Sequence, residues 1–347
     1  MSKSGIATAY QAKVGSYTAS SDARKGDRLL LNLVVELGMD GAGGRCVAEL
    51  SGTDCAPVKL GEAVSVELDA GEGMTSVFTG EAAAVEVTAT SQRVTAWDGM
   101  AMLGCTEVEE AYEDVTADFV VKDLMEKAGV TPGTVAKGPD LPAYAVHRGP
   151  RALAHLRRLA EMCGADLYTD GEGKVHFDVP KQGGADHEFQ FGENILVMAL
   201  EQPGARADSV EVWGEGAASA KGADKAHWLS TDLSGVNGKA SVDDSGKAAQ
   251  GKLGDRPMRI LNGALRSGSA AGDSANARMD AVASRWIRGR LEVFGAPGVM
   301  PGDLVEVKKL PSDHAAAKFL TGGTKLRVRC VRHALDRRRG LITRIEF

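Results

Sequence analysis

The sequence predicts a mainly β protein that carries an α+β insert. Three observations predict it: short alternating apolar runs before residue 98, three helical patterns and a hairpin pattern up to residue 179, and further short apolar runs from residue 195 onward. With 347 residues, 43% of them hydrophobic, the chain can form two or three domains with ample core. Glycine is abundant at 43 residues and aromatic residues make up only 5%, which favours many turns.

The first β block is predicted from alternation. Val64, Val66 and Leu68 alternate with polar residues, which is the pattern of a half-buried strand. Glycine-containing turns separate several of the other predicted strands, at 28–37, 74–79, 84–89 and 92–97. Many short strands with such turns are typical of a sandwich or a barrel.

The insert is predicted from helix signals and one turn. Residues 98–105 form a short apolar helical pattern, and Thr116 is a candidate N-cap for a helix over 117–128. A further helix begins near Pro150 and stops at Gly164. A DGEG turn between the runs 166–169 and 174–179 then predicts a β-hairpin.

The second β block contains one helix and a long segment of small and polar residues. Ser274 is the candidate N-cap of a helix over 275–288, and residues 214–255 predict a long, mostly exposed loop. The predicted strands are 195–202, 209–213, 258–261, 291–294, 304–307, 325–331 and 342–347. The order of elements divides the chain into three predicted domains, at 1–105, 106–194 and 195–347.

The charge is distributed unevenly along the chain. The net charge is −6 overall, but it is −11 over residues 1–130 and +8 over residues 284–347. A negative total excludes a chain-wide affinity for polyanions. The asymmetry fits either complementary surfaces within or between chains, or ordinary solvated faces.

The sequence predicts no catalytic residue, no cofactor site and no metal site. The five cysteines are odd in number and form no C-x-x-C pair, which argues against a disulfide framework or a cysteine zinc site. No histidine lies in an H-x-H or H-E-x-x-H motif; His155 and His176 are predicted to be structural. Asp243 and Asp244 form a carboxylate pair in the polar loop, with too few alternating ligands for calcium.

Phosphate and nucleic-acid motifs are also missing. The glycine-rich run 41–45 precedes a strand rather than a helix and is predicted to be a hairpin turn. The basic run 336–340 lies between two predicted strands and is interpreted as a charged hairpin turn, so no specific nucleic-acid ligand is expected. The N-terminus has no signal-peptide pattern and no stretch is long and apolar enough to span a membrane, so we expect synthesis in a reducing cytoplasm.

Three stretches, in order, resemble the phage late control D family, the hub proteins of contractile tails and related injection machines. They are VTAWDGMAMLGCTEVEEAYEDVTADFVVKDLMEKAGV at 94–130, HRGPRALAHLRRLAEMCGADLYTDGEGKVHF at 147–177, and the segment 298–347 with PGDLVEV and the closing VRCVRHALDRRRGLITRIEF. The residues that hold the motifs, to which we assign structural roles, are Leu153, Leu156, Leu159, Gly164, Tyr168, Phe177, Pro301, Gly302, Asp303 and His333.

The resemblance implies a hub-type fold, with two tube-like β-barrel domains flanking the helix–helix–hairpin insert. It further implies a homotrimer that forms a pseudo-sixfold ring in the baseplate of a phage tail, a tailocin or another contractile injection system. The implied partners are an inner tube or tube-initiator protein, baseplate wedge components and, since the chain stops after the last hub strand, a separate spike protein. A tape measure protein or cargo is a candidate occupant of the lumen.

Two other functions compete with a structural hub. A tail-associated cell-wall hydrolase needs paired carboxylates or a metal triad in a cleft. A generic β-rich module for glycan or protein binding is the other alternative, although few aromatic residues argue against glycan stacking. Because the residues show no catalytic motif, the expectation is a protein without enzymatic activity.

Overall fold

The computed structural model describes residues 8–22, 28–39, 41, 43–52, 57–181, 183–203, 207–215, 236–242 and 248–347. These residues form a mainly β protein with four α-helices. The predicted fold class, a β protein with an α+β insert, is confirmed. No helix in the described ranges is long and apolar enough to cross a membrane.

The first β block contains seven antiparallel strands whose buried residues alternate with more exposed ones. In β5, for example, Val64, Val66 and Leu68 are buried and their neighbours are not. The predicted strands 74–79 and 84–89 are one long strand, β6, with a bulge. The strands are β1 (Ala9–Val14), β2 (Tyr17–Ser20), β3 (Leu30–Gly38), β4 (Arg45–Ser51), β5 (Ala63–Asp69), β6 (Thr75–Val87) and β7 (Ser91–Trp97).

The insert begins at a buried carboxylate. Asp98 caps the first helix by accepting from the backbone N–H of Met100, and it also accepts from Gly44 in the turn before β4. Burial raises the pKa of Asp98, and these backbone donors offset the rise only in part. The elements of the insert are α1 (Gly99–Cys105), β8 (Glu110–Thr116), α2 (Ala117–Lys127), β9 (Pro132–Val135), β10 (Asp140–Val146), α3 (Ala152–Cys163), β11 (Asp166–Thr169) and β12 (Val175–Asp178).

The remaining strands follow the β11–β12 hairpin, and all except β13 lie in the second β block. They are β13 (His187–Gln190), β14 (Ile195–Glu201), β15 (Ser209–Trp213), β16 (Asn237–Val242), β17 (Ala248–Gln250), β18 (Pro257–Leu261), β19 (Arg288–Phe294), β20 (Leu304–Lys308), β21 (Lys325–Arg327), β22 (Cys330–Asp336) and β23 (Gly340–Glu346). One helix, α4 (Gly268–Ala283), lies between β18 and β19. The charged turn predicted at 336–340 joins β22 to β23, as expected.

Strands from both ends of the chain share one sheet. Its order is β14-β19-β23-β22-β3-β4-β7-β6-β5-β1-β2, and β22 pairs antiparallel with β3. One hydrophobic core is formed by this sheet together with β13, β20 and neighbouring residues. A second core joins the insert to α4 and to the sheet β17-β16-β15-β18. The domain limits 1–105, 106–194 and 195–347 stay predictions.

The prediction of a loop over 214–255 is wrong for part of the segment. Residues 237–242 and 248–250 form β16 and β17, while residues 216–235 and 243–247, and with them Asp243 and Asp244, lie outside the described residues. A side chain at Gly238 would overlap the backbone of α4, because its Cβ would lie 2.3 Å from the carbonyl oxygen of Ala271. The small residues therefore allow a strand to pack closely against a helix.

The predicted start of the last helix is also wrong. Ser267, not Ser274, caps α4, by accepting from the backbone N–H of Ala270. The first turns consist of small residues without an apolar period, so the sequence carried no helical signal there. Ser274 is buried inside the helix, and Arg288 is the first residue of β19.

Candidate functional site

The Pro301-Gly302-Asp303 turn lies at the centre of a junction between the insert and the second β block. We call Tyr168, His187, Pro301, Gly302 and Asp303 the PGD junction. Gly302 has a φ of +94°, and a Cβ there would lie 2.7 Å from the Tyr168 hydroxyl oxygen. Only glycine meets both demands without strain. The turn is also hydrogen-bonded to Val328, in the connection between β21 and β22. Gly302 N donates to Val328 O and Val328 N donates to Asp303 O, both at 2.8 Å.

Asp303 is the polar anchor of the PGD junction. Its Oδ2 lies 3.0 Å from Nε2 of His187 and accepts from Met300 N at 2.9 Å, while Oδ1 lies 3.3 Å from Nζ of Lys181. Burial by itself raises the pKa of this carboxyl group. The hydrogen bonds from His187 and Met300 outweigh burial, so the pKa of Asp303 is below its ordinary value.

Tyr168 connects the PGD junction to a second histidine–aspartate pair. Its ring stacks on His176 with centroids 5.0 Å apart, and Nε2 of His176 lies 2.9 Å from Oδ2 of Asp170. Nδ1 of the same imidazole accepts from Thr134 N at 3.0 Å. Burial raises the pKa of Tyr168, so the phenol stays neutral. Both imidazoles, at 176 and 187, are therefore held in structural contacts.

A buried ion-pair group lies beside the junction. Asp166 on β11 is 3.1 Å from Nη2 of Arg327 and 3.4 Å from Nη1 of Arg329, and all three side chains are at most 16% exposed. The turn after β11 also contacts the first β block, because the Ser76 and Thr79 hydroxyls donate to Gly171 O at 2.8 and 3.1 Å. The β11–β12 hairpin thus ties the insert to both β blocks.

The remaining motif residues lie in two other places. Leu153, Leu156 and Leu159 of α3 are buried in the core of the insert, as is Phe177 of β12. Gly164 ends α3 in the left-handed region at φ +64°, and a Cβ there would lie 2.5 Å from that of Ala277 on α4.

His333 is separate from the PGD junction and lies in the large sheet. It is fully buried, and its Nδ1 lies 3.0 Å from the Thr343 hydroxyl, which also accepts from Ala296 N at 3.0 Å. Burial lowers the pKa of His333 to about 4. This histidine is therefore a neutral core residue at ordinary pH.

Within the described ranges, no group of three or more His, Cys, Asp or Glu side chains could hold a metal ion. The PGD junction joins elements and has the chemistry of a structural clamp. The sequence did not indicate His187 or Lys181, which contact Asp303, or Arg327 beside the junction, since nothing in local spacing links β13, β20 and β21.

A second feature missed from the sequence is an exposed apolar strand edge. β14 forms one end of the large sheet, and no described strand pairs with its outer side. Leu196 and Val197 on this strand are 44% and 38% exposed, and Phe294 on the adjacent β19 is 47% exposed. The unbroken apolar run at 195–200 was the available signal. An apolar edge of this kind is a site for pairing with another chain.

No protein-family model matches the chain, and no curated protein matches it by sequence. Several solved structures, however, match the fold of the chain. The 43 kDa tail protein of prophage MuSo2 from Shewanella oneidensis superposes with a TM-score of 0.67 at 14% identity, covering 98% of this chain and 97% of that one. A tail protein from Neisseria meningitidis also gives a TM-score of 0.67 at 14% identity, over 98% of this chain and 95% of its own.

The chain has the fold of these phage tail proteins. A component of the Escherichia coli type VI secretion system, itself reported to be structurally similar to the bacteriophage T4 tail proteins gp27 and gp5, superposes with a TM-score of 0.58 at 12% identity. The match covers 94% of this chain and 74% of that one. The hub-type fold predicted from the sequence is confirmed.

Proposed function

We propose that the protein is a structural baseplate hub of a contractile tail or injection machine. Three copies form a pseudo-sixfold ring that adapts a sixfold inner tube to a threefold spike. The observation that carries the proposal is the full-length match to two phage tail proteins, over 98% of this chain and at least 95% of theirs.

Assembly into a ring is supported by the edge of the large sheet. Leu196 and Val197 of β14 expose apolar surface where the sheet ends. Because an unpaired edge also presents backbone donors and acceptors, a neighbouring subunit can both pair with it and bury these side chains. A head-to-tail contact of this kind closes into a ring when the rotation between subunits allows it.

The uneven charge supports the same proposal. Residues 1–130 carry a net charge of −11 and residues 284–347 carry +8, so these two segments can complement each other between neighbouring subunits.

The remaining partners are an inner tube or tube-initiator protein, a separate spike protein and wedge components, with a tape measure protein or cargo in the lumen. The protein acts without bond chemistry and is incorporated into the particle after synthesis in the host cytoplasm.

The motif residues have structural roles in this proposal. Pro301, Gly302, Asp303 and Tyr168 clamp the insert to the second β block, so the insert keeps a fixed position on the β domains under load. Leu153, Leu156, Leu159, Gly164, Phe177 and His333 support the cores that the clamp connects.

The experiment compares solution mass and particle images of the wild type with those of two lysine variants. Sedimentation should give the mass of three chains of 36.3 kDa each for the wild type, and electron micrographs should show rings. Leu196→Lys should shift the mass toward the monomer, since a charge at a strand edge prevents pairing. Leu60→Lys is the matched control, because Leu60 is 68% exposed and lies outside β14.

Two outcomes would contradict the hub. One is an obligate monomer under assembly conditions with no ring in any particle. The other is release of cell-wall fragments by the purified protein, which would favour the hydrolase instead.

A further inference from the structure

A basic cleft lies between α3 and α4, away from β14. We define the α3–α4 cleft as two adjoining cavities of about 330 and 260 Å³ that share Glu161 and Arg278. Its first cavity is lined by His147, His155 and Arg158 and reaches the end of β18. Its second cavity extends along the helices, with further arginines at 157, 285 and 329.

Positive charge exceeds negative charge in the α3–α4 cleft. Five arginines line it, against the two carboxylates of Glu161 and Asp166. Asp166 is already engaged by Arg327 and Arg329. Glu161 is 67% exposed and its closest approach to the Arg278 guanidinium is 4.0 Å, the long limit of an ion pair. Glu161 therefore neutralises Arg278 only weakly.

Arg278 has a guanidinium nitrogen without an acceptor. It lies on α4 between the two cavities, and its side chain is 29% exposed. Its Nε is buried and has no hydrogen-bond partner among the described residues. Arginine presents its donors as a planar fork that fits a carboxylate through two hydrogen bonds. Arg158, exposed on α3, adds a second cation in the same cavity.

The rim of the first cavity is apolar. Leu261, the last residue of β18, lines it and is 86% exposed, the highest value among the large hydrophobic residues described. β18 is the edge of its four-stranded sheet, and no described strand covers its outer side. Tyr144 and Ile260 continue this apolar wall. An apolar anchor thus adjoins a group of cations.

We propose that the α3–α4 cleft is a docking site for an acidic peptide segment of a partner protein. A carboxylate of the segment binds Arg278 and Arg158, and a neighbouring aliphatic side chain packs on Leu261 and Ile260. Charge complementarity selects the acidic segment, and the exposed leucine requires a ligand with an apolar side chain as well. A small anion would leave Leu261 uncovered. A nucleic acid is disfavoured by the net charge of −6 and by Tyr144 being the single aromatic residue, apart from two histidines, along the first cavity.

The test measures the affinity of the full chain for a fluorescent peptide at low ionic strength. The peptide contains four glutamates around one leucine. Arg278→Gln should raise the dissociation constant about tenfold, because a charge-assisted bidentate contact is lost. Leu261→Ser should also weaken binding, and it keeps the fold because that side chain is almost fully exposed. Glu161→Gln should tighten binding, since it removes the carboxylate that competes for Arg278.

Arg338→Gln is the matched control, because Arg338 is exposed in the β22–β23 turn, where its backbone rather than its side chain bonds Asp336. It should leave the affinity unchanged. The proposal is overturned by no binding at millimolar peptide, by equal affinity for wild type and Arg278→Gln, or by equal affinity for a glutamine version of the peptide. Displacement by inorganic phosphate alone, or tighter binding of a single-stranded oligonucleotide, also overturns it. None of these outcomes depends on whether the protein forms a trimer.

Discussion

Gly302 faces the Tyr168 hydroxyl so closely that no side chain fits between them. A Cβ at position 302 would lie 2.7 Å from Tyr168 Oη, and the backbone there has a φ of +94°. Steric space and backbone conformation both require glycine, which makes this contact the tightest restraint in the PGD junction.

Gly302→Ala should destabilise the protein by about 2–4 kcal/mol in urea unfolding, since strain from the left-handed backbone adds to the overlap with Tyr168. Gly340→Ala is the matched control, because Gly340 has a φ of +70° and nothing within 4 Å of a Cβ, so it should cost about 1–2 kcal/mol. Adding Tyr168→Phe to Gly302→Ala should recover part of the loss. Equal costs for the two alanine variants would contradict the close approach.

Asp303→Asn should lower the free energy of unfolding by about 1.5–3 kcal/mol at neutral pH, because the charged acceptor of His187 and Met300 is lost. The folded-state pKa of Asp303 is lowered, so its contribution is present above the unfolded pKa and disappears as pH falls through the folded value. Urea unfolding at a series of acidic pH values should show the two proteins converging. A difference that stays constant with pH would exclude the charge as its source.

His333 should make the protein sensitive to mild acid. Its pKa is about 4 when folded and about 6.5 when unfolded, so the unfolded state takes up a proton first as pH falls. Between pH 7 and pH 5 the wild type should lose about 2 kcal/mol more stability than His333→Asn. The other six histidines are present in both proteins, so the difference between the two slopes isolates this residue. Parallel slopes would contradict a neutral buried imidazole.

Asp166→Ala should cost about 3–5 kcal/mol, because it leaves the largely buried Arg327 and Arg329 guanidinium groups without their shared carboxylate. Glu86→Gln is the matched control, since the Arg93–Glu86 pair is 48% and 60% exposed. It should change the free energy of unfolding by less than about 1 kcal/mol. Urea unfolding at fixed protein concentration measures the free energy of unfolding of both variants. A similarly small loss for Asp166→Ala and Glu86→Gln would show that the buried ion pairs do not stabilise the fold.

Local signals in the sequence predicted the first three helices and many of the strands, but not β1, β2, β8, β9, β10 or β13. Gly164 was predicted to stop α3 and adopts the left-handed conformation that ends it. Asp98 begins α1 at the predicted place because its carboxylate caps the helix. Where small residues replace an apolar period, the prediction failed: the first turns of α4 and the strand around Gly238 form through close packing against each other, which no local pattern encodes.

The candidate site was predictable in part. A family resemblance pointed to Tyr168, Gly302 and Asp303, and the structure brings these three together. It did not point to His187 or Arg327. These side chains reach the junction because β13 and β21 both pair with β20, although the three strands are far apart in the sequence. His333 shows the converse, because a motif histidine proves to be a neutral core residue with no contact to the junction.

The pairing of β22 with β3 has a consequence for biosynthesis. Residues 330–336 complete a sheet whose first strands leave the ribosome some three hundred residues earlier, and at about 5–20 residues per second that interval lasts tens of seconds. Until then β3 keeps one side unpaired. A chain cut short near its end therefore retains an open strand in the middle of the sheet, which makes it prone to pair with other chains.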